Sequence, residues 1–218
     1  NGGHYGPGCW VRLLTGMNKF CCELHSLHQK GCKVNQFSRQ STTFAPMKSK
    51  RFAKESKAVT TEIVLPNDTN TLGNLMGGRL LHLMDISAAI SAHRHCKRIV
   101  VTASVNHVSF DKPIRLGDII TLEAQVSRAF TSSMEVYVDV WVEDQTTGER
   151  IKHNEAIYNF VAVDQLGNPI SVPELIPETE QEKIRFDGAL RRRQLSLILA
   201  RKMKPEEATE LKALFMGS

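Results

Sequence analysis

The chain has 218 residues, 41% hydrophobic and 23% charged, with 14 glycines, which is ordinary for a globular protein. That length suits one domain with appendages, since domains run about 100–150 residues, and no apolar run approaches the roughly 20 residues that span a bilayer. The net charge of +5 is concentrated in residues 1–54, where nine Lys or Arg face the single acid Glu23. The basic balance therefore belongs to the amino-terminal stretch and does not point to nucleic acid as a partner of the folded part.

Taken in order, residues 1–57 read as a basic, disordered leader in which Gly, Ser, Gln and Lys recur without a sustained period. The leader is either an organelle transit peptide or upstream-encoded sequence ahead of a natural start at Met47, which KSKRFAKES follows; the second reading is favoured. Four of the five cysteines, Cys9, Cys21, Cys22 and Cys32, lie there, leaving only Cys96 in the domain. An odd total without a disulfide framework argues for a reducing compartment and a cytoplasmic location, an organelle being the alternative if the leader is a transit peptide. Cys21, Cys22, His25, His28 and Cys32 lack a paired C-x-x-C arrangement and make a poor zinc site.

Residues 58–168 form the expected domain. Thr60–Leu65 alternates as a first strand closed by Pro66, and Asn67-Asp68-Thr69 supplies turn chemistry. The second half of the stretch from Asn70 to Ala92 reads as a helix: at roughly 100° per residue Leu81, Ala88, Ala89 and Ala92 share one side. Asp85 falls within that stripe. An unpaired carboxylate away from water costs several kcal/mol, so Asp85 requires either a buried partner or an edge position facing a cavity. Gly77 and Gly78 remove side chains where unpaired helix N–H groups point outward, leaving room for an anionic or polarised oxygen.

The helical pattern ends near His93, and Arg94 to Arg98 makes a basic connection. From Ile99 the period is two: Val101, Ala103, Val105 and His107 alternate with Thr102, Ser104, Asn106 and Val108. Pro113 to Asp118 is a turn before Ile119–Phe130. Ser132–Glu143 is the clearest strand, with Met134, Val136, Val138, Val140 and Val142 on one side. Thr146-Thr147-Gly148 connects it to Arg150–Val163 as in an antiparallel meander. One long helix after the first strand, then four strands, predicts an α+β layer with the helix on one face of an antiparallel sheet. Residues 169–218 read as a Pro-containing linker and C-terminal helices. A charged helix from about Glu178 has apolar positions Leu190, Leu195, Ile198 and Leu199, and a second begins at Pro205 and reaches Phe215. This tail packs on the domain or on a neighbouring subunit. Arg191-Arg192-Arg193 reads by default as a solvated helix face, with a nucleotide phosphate or a neighbour's acids as alternatives.

Asn70, Gly73, Asn74, Gly77, Gly78 and Asp85, together with VTASVNHVSFDKPIRLGD (101–118) and RAFTSSMEVYVDVWVED (128–144), give a chain that resembles the hotdog-fold acyl-CoA thioesterases, closest to their short single-domain bacterial members. The resemblance covers roughly Val59 to Asp164. It implies a hotdog fold and hydrolysis of acyl-CoA to free fatty acid and coenzyme A, with no metal and no cofactor beyond the coenzyme A of the substrate. Asp85 would activate water or attack directly, Asn70 would orient the water or the substrate, and the Gly78 N–H would hold the developing oxyanion. Asn70 of one chain is expected to work with Asp85 of another, which implies a dimer and suggests a hexamer built as a trimer of dimers. Thr102 and Ser104 would line the acyl or pantetheine passage, and Thr131 to Met134, with Ser132 and Ser133, the pantetheine arm. Asn74 is either a ligand or a helix cap, and Gly77 admits the substrate. Arg98, Lys112 and Arg128 would meet the phosphates.

A hotdog cleft that binds or senses acyl-CoA without hydrolysing it is the alternative function. A dehydratase is weaker, because His82 falls about 60° from Asp85 on a more polar side. The chain has no G-x-S-x-G, P-loop or G-x-G-x-x-G motif. His93, His95 and Cys96 read as a helix end.

Overall fold

Three long strands whose central stretches alternate inward and outward dictate the architecture. The computed structural model describes residues 50–106, 108, 110, 112–144 and 147–216; the expected leader up to residue 49, with its cysteines and Met47, lies outside them, as do His107 and Thr146. The elements are β1 (Lys50–Phe52), β2 (Ala58–Ile63), α1 (Gly77–Cys96), β3 (Ile99–Asn106), β4 (Ile119–Ala129), β5 (Ser133–Glu143), β6 (Arg150–Val163), β7 (Glu174–Ile176), α2 (Glu180–Leu199) and α3 (Thr209–Met216). Five strands form one sheet in the order β2-β4-β5-β6-β3, each neighbouring pair antiparallel. The predicted α+β order is thus the observed one. The first strand sits two residues earlier than expected, with Val64 buried beyond its end. Residues 50–57, grouped with the leader in the sequence, contain β1, which pairs in parallel with β7, and a 3-10 turn that buries Ala53 and Ser56.

Register explains the inner layer. Ile120, Leu122, Ala124 and Val126 of β4 lie opposite Val142, Val140, Val138 and Val136 of β5, and Met134, Val136 and Val138 lie opposite Phe160, Tyr158 and Ala156 of β6. All are buried. They meet Leu80, Leu83, Met84, Ala88 and Ala92 of α1 in one cluster, where each large side chain contributes roughly 1.5–3 kcal/mol on burial.

The helix is rotated from the expected phase. Its buried stripe is Leu80, Leu83, Met84, Ser87, Ala88, Ser91, Ala92, His95 and Cys96, while Leu81, Asp85 and Ala89 form its half-buried flank. Three polar residues inside the stripe, and Ile86 and Ile90 exposed outside it, are the reason. Ser87 Oγ donates to Thr60 Oγ1 at 3.1 Å, which satisfies one of them. The helix also runs past His93, because His95 and Cys96 are buried; Lys97, at φ 54°, ends it in the left-handed region.

The outer face of the sheet corrects a second expectation. Glu135 and Asp139 of β5, although they alternate with valines, are buried. Arg192 of α2 grips Glu135 with two bonds, Nε to Oε2 at 3.0 Å and Nη2 to Oε1 at 2.7 Å. Ser127 Oγ donates to the same carboxylate at 2.6 Å. Asp139 meets Arg185 Nη2 at 2.6 Å and Lys152 Nζ at 2.7 Å. Arg193 donates to Ser133 Oγ at 3.0 Å and lies over the Phe130 ring. Arg192 and Arg193 are therefore part of a helix-to-sheet clamp, not of a solvated face. Of the predicted apolar positions, Leu190 and Ile198 are half-buried and Leu195 and Leu199 exposed, while the buried positions of the helix are Ala189 and Gln194. A sheet face lined with carboxylates selects arginines from the helix that covers it. Thr179 starts α2 with a capping box to Glu182.

Two predictions follow from this packing. Arg192→Ala leaves Glu135 enclosed and uncompensated, so urea unfolding of the full chain should lose about 3 kcal/mol; a loss below about 1 kcal/mol would show the pair to be idle. His95, whose Nε2 donates to the Pro173 carbonyl at 2.8 Å, is held below the usual histidine range by burial, which outweighs the opposite pull of that carbonyl. The unfolded chain therefore takes up the proton first, and stability should be full above about pH 6.5 and decline below it. Thermal melts of His95→Gln should show a shallower decline over that interval than the parent.

Candidate active site

The loop that delivers the start of α1 is held from both sides. Asn70 Oδ1 accepts the N–H groups of Leu72 at 2.9 Å and Asn74 at 3.2 Å, and the Asn70 N–H donates to the Asn74 carbonyl at 2.8 Å. Gly73, at φ 73°, makes the tight turn this requires. The Leu75 N–H donates to the Ile114 carbonyl at 2.7 Å, and Leu116 returns a bond to Gly73 at 2.9 Å. Arg79 Nε meets Asp68 Oδ1 at 2.9 Å across the same loop. Asn70 is thus an exposed turn former whose amide oxygen is consumed locally; among the described residues its NH2 group makes no bond. Asn74 is not the helix cap, since Met76 occupies that position without a side-chain bond.

Arg79 and Leu80 donate to the Met76 carbonyl, so the N–H groups of Gly77 and Gly78 precede the first intrahelical donors and carry the positive end of the helix dipole. The two glycines face different spaces. A Cβ on Gly77 would meet the Phe110 ring at 3.3 Å, whereas one on Gly78 would meet nothing within 4 Å.

Gly78 opens onto a cleft of about 440 Å3 lined by Leu81, His82, Asp85, Thr102, Val105, Val108 and Tyr158. Asp85 stands at the edge of the buried stripe, half-buried, and its Oδ1 accepts the Thr102 hydroxyl at 2.8 Å. Among the described residues its Oδ2 has no hydrogen-bond partner. Tyr158 donates to the Leu81 carbonyl at 3.0 Å. Its phenol is pushed up to about 12, first by burial and then by the negative charge of Asp85, and so stays protonated.

A bulge decides which β3 residues reach this cleft. The pairing with β6 runs Thr102↔Phe160, then Ser104↔Asn159 and Val105↔Tyr158, skipping one residue. Thr102 and Val105 consequently share the inner face, while Ser104 turns outward and accepts from Asn159 Nδ2 at 3.2 Å. Strict alternation, which kept Ser104 beside Thr102, missed this. Ser133 faces α2 on the opposite side of the sheet, bound by Arg193. Neighbouring Ser132 gives its carbonyl to Ala162 at 2.9 Å. Arg128 is enclosed between β4 and α2, its guanidinium 3.9 Å from the Phe186 ring centre and bonded to the Phe186 carbonyl at 3.0 Å; burial lowers its pKa. Arg98 lies past the carboxyl end of α1, about 30 Å of helix from Gly78. None of these four joins Asp85 within one chain. Asn74 and Lys112 instead line a second cavity, of about 470 Å3, with Gly77, Leu80, Phe110 and Ile114.

The structure adds two residues that sequence reasoning missed or misplaced. Tyr158 was hidden in a strand of alternating residues, although a tyrosine on an inner face needs a partner for its hydroxyl, and that was the available signal. His82, expected on a polar side away from Asp85, lines the same cleft.

Residues 72–149 match the family model described as the thioesterase superfamily. A protein of Bacillus subtilis (strain 168), described as an uncharacterized acyl-CoA thioester hydrolase, is 47% identical over 142 residues, 65% of this chain and 83% of its own length. An apo-hexameric acyl-CoA thioesterase superposes with a TM-score of 0.67 at 38% identity, over 69% of this chain and 97% of the other. The acyl-CoA hydrolase of Staphylococcus aureus, solved with butyryl coenzyme A, coenzyme A and coenzyme A disulfide, gives a TM-score of 0.65 at 37% identity, over 75% of this chain and 99% of the other. That protein has also been solved with one asparagine, one aspartate and one threonine each replaced by alanine.

The open space at Gly78 carries its own expectation. Gly78→Ala should fold and gain about 0.5–1 kcal/mol from helix propensity, read by thermal or urea unfolding. A marked loss of stability would show that the space is already occupied.

Proposed function

Because this chain belongs to the acyl-CoA thioester hydrolases of the thioesterase superfamily, we propose that it hydrolyses acyl-CoA to a free fatty acid and coenzyme A with Asp85 as the working carboxylate. The observation that carries the proposal is the cleft in which Asp85, steadied through one oxygen by Thr102, faces the exposed start of α1 at Gly78. The aspartate, asparagine and threonine replaced in the Staphylococcus hydrolase stand in the same order and at the same separations as Asn70, Asp85 and Thr102. This supports treating the three as one set.

The geometry suits a simple sequence of bond changes. The thioester oxygen sits against the Gly78 N–H, where helix-end donors stabilise charge as it develops. Asp85 Oδ2 removes a proton from water as the water oxygen bonds to the acyl carbon. The tetrahedral adduct then collapses, the carbon–sulfur bond breaks, and the proton passes to the departing thiolate. Direct attack by Oδ2 uses the same placement, expels the thiolate and gives an acyl-enzyme anhydride that water opens; label found in Asp85 after a single turnover in heavy-oxygen water marks direct attack with opening at the aspartyl carbonyl carbon.

Asn70 does not line the Asp85 cleft of its own chain, which supports its service to a partner's. The uncovered sheet edge supports the same arrangement: Ile99, Val101 and Val105 of β3 and Ile86 and Ile90 of α1 are all exposed, and an apolar edge strand calls for cover. We take the assembly to be a dimer with shared sites, grouped as a hexamer like the solved relative. The catalytic unit is residues 58–168, with 169–218 as a strap across the outer face of its sheet.

Asp85→Ala, folded, should lose at least about a hundredfold in kcat on a panel of acyl-CoAs read by thiol release. Stoichiometric binding by the parent without turnover at any chain length would replace the hydrolase with a binding module. Asn70→Ala and Asp85→Ala should each be nearly inactive alone. Their co-assembled mixture should recover about a quarter of parental turnover, because each mixed pair rebuilds one intact site. No recovery would place both groups in one chain.

A further inference from the structure

We propose that Tyr158 is a positioning residue for the Asp85 carboxylate, fixing the depth at which the helix turn carrying Asp85 rests on the sheet. The inference rests on Asp85 being the working carboxylate.

Tyr158 projects from the inner face of β6, its ring buried beside that of Phe160 at 6.4 Å between centres. A phenylalanine would fill the same volume, so the hydroxyl must be explained by what it bonds. It donates to the Leu81 carbonyl at 3.0 Å. In an α-helix that carbonyl accepts the N–H of the residue four further on, here Asp85. Phenol and Asp85 peptide thus converge on one oxygen, and the backbone that carries the carboxylate is tied directly to the sheet.

The second tie comes from the adjoining strand. Thr102 of β3 holds Asp85 Oδ1 at 2.8 Å, and β3 and β6 are in register at Thr102↔Phe160 and Val105↔Tyr158. One strand fixes the side chain and the next fixes its backbone. Together they leave Oδ2 little freedom except toward the cleft that Tyr158, Asp85 and Gly78 share. Small misplacements of a reacting group cost far more rate than stability.

Tyr158→Phe tests this, with kcat, KM, melting temperature and solution mass measured on the full chain. We expect kcat to fall about tenfold with KM within about twofold, while melting temperature and mass stay close to the parent's. Combined with Thr102→Val, the double variant should lose clearly less than the product of the two single losses, since both act through one carboxylate. A kcat within about twofold of the parent would overturn the proposal, as would a loss confined to KM or melting temperature, or two losses that multiply. Asp85→Asn is assayed alongside: if it still turns over, the reading of Asp85 fails, whereas a dead Asp85→Asn beside a fully active Tyr158→Phe removes only the role of the tyrosine.

Discussion

The hydrogen bond from Thr102 to Asp85, 2.8 Å long, joins the two layers of the fold where an anion has been seated at an apolar seam. A carboxylate there is expensive unless something offsets its lost water. Two features do so together: a position on the flank of α1 rather than in its buried stripe, and a hydroxyl presented by the edge strand. The rest of the architecture serves that contact. Valines and alanines on the inner sheet face let α1 lie close, and the bulge in β3 turns Thr102 toward the helix while sending Ser104 away.

The two faces of the sheet are covered by different chemistry. Inside, α1 meets β4, β5 and β6 chiefly through apolar side chains; of the polar groups enclosed there, the Tyr158 hydroxyl bonds the Leu81 carbonyl, Ser87 bonds Thr60, and His95 bonds the Pro173 carbonyl. Outside, Glu135 and Asp139 are enclosed by α2, and their charges are met by Arg192, Arg185 and Lys152. Buried ion pairs add little net stability but penalise the loss of either partner. The outer layer therefore specifies one docking geometry for α2 more than it adds to the total free energy.

Much of this was legible in the residues. The inward valines of β5 and the full extent of β6 followed from period-two alternation, and the α+β order followed from the helix placed ahead of four strands. What misled was polarity. Ser87, Ser91 and His95 are buried by their neighbours, and Ile86 and Ile90 are not, so the phase of α1 was drawn too close to Asp85. Glu135 and Asp139 alternate like solvent-facing residues, and nothing local announces that arginines some 46 to 57 positions later will cover them. The contact between Thr102 and Asp85 was equally unreadable, because a bulge is a property of two paired strands. Glycine pairs and a turn-forming asparagine, by contrast, are local, and the loop ahead of α1 was anticipated for that reason.

The ionic covering of the outer face has a further effect on how the molecule meets its solvent. Added electrolyte screens the accessible rim of such contacts, whereas excluded salts such as sulfate tighten hydrocarbon burial. Lys152 and Arg192 are partly open to water, whereas the cluster between α1 and the inner face is built of apolar residues. Brine thus acts with opposite sign on the two sides of one sheet, easing the carboxyl-terminal strap while tightening the apolar contact of α1 with the inner face.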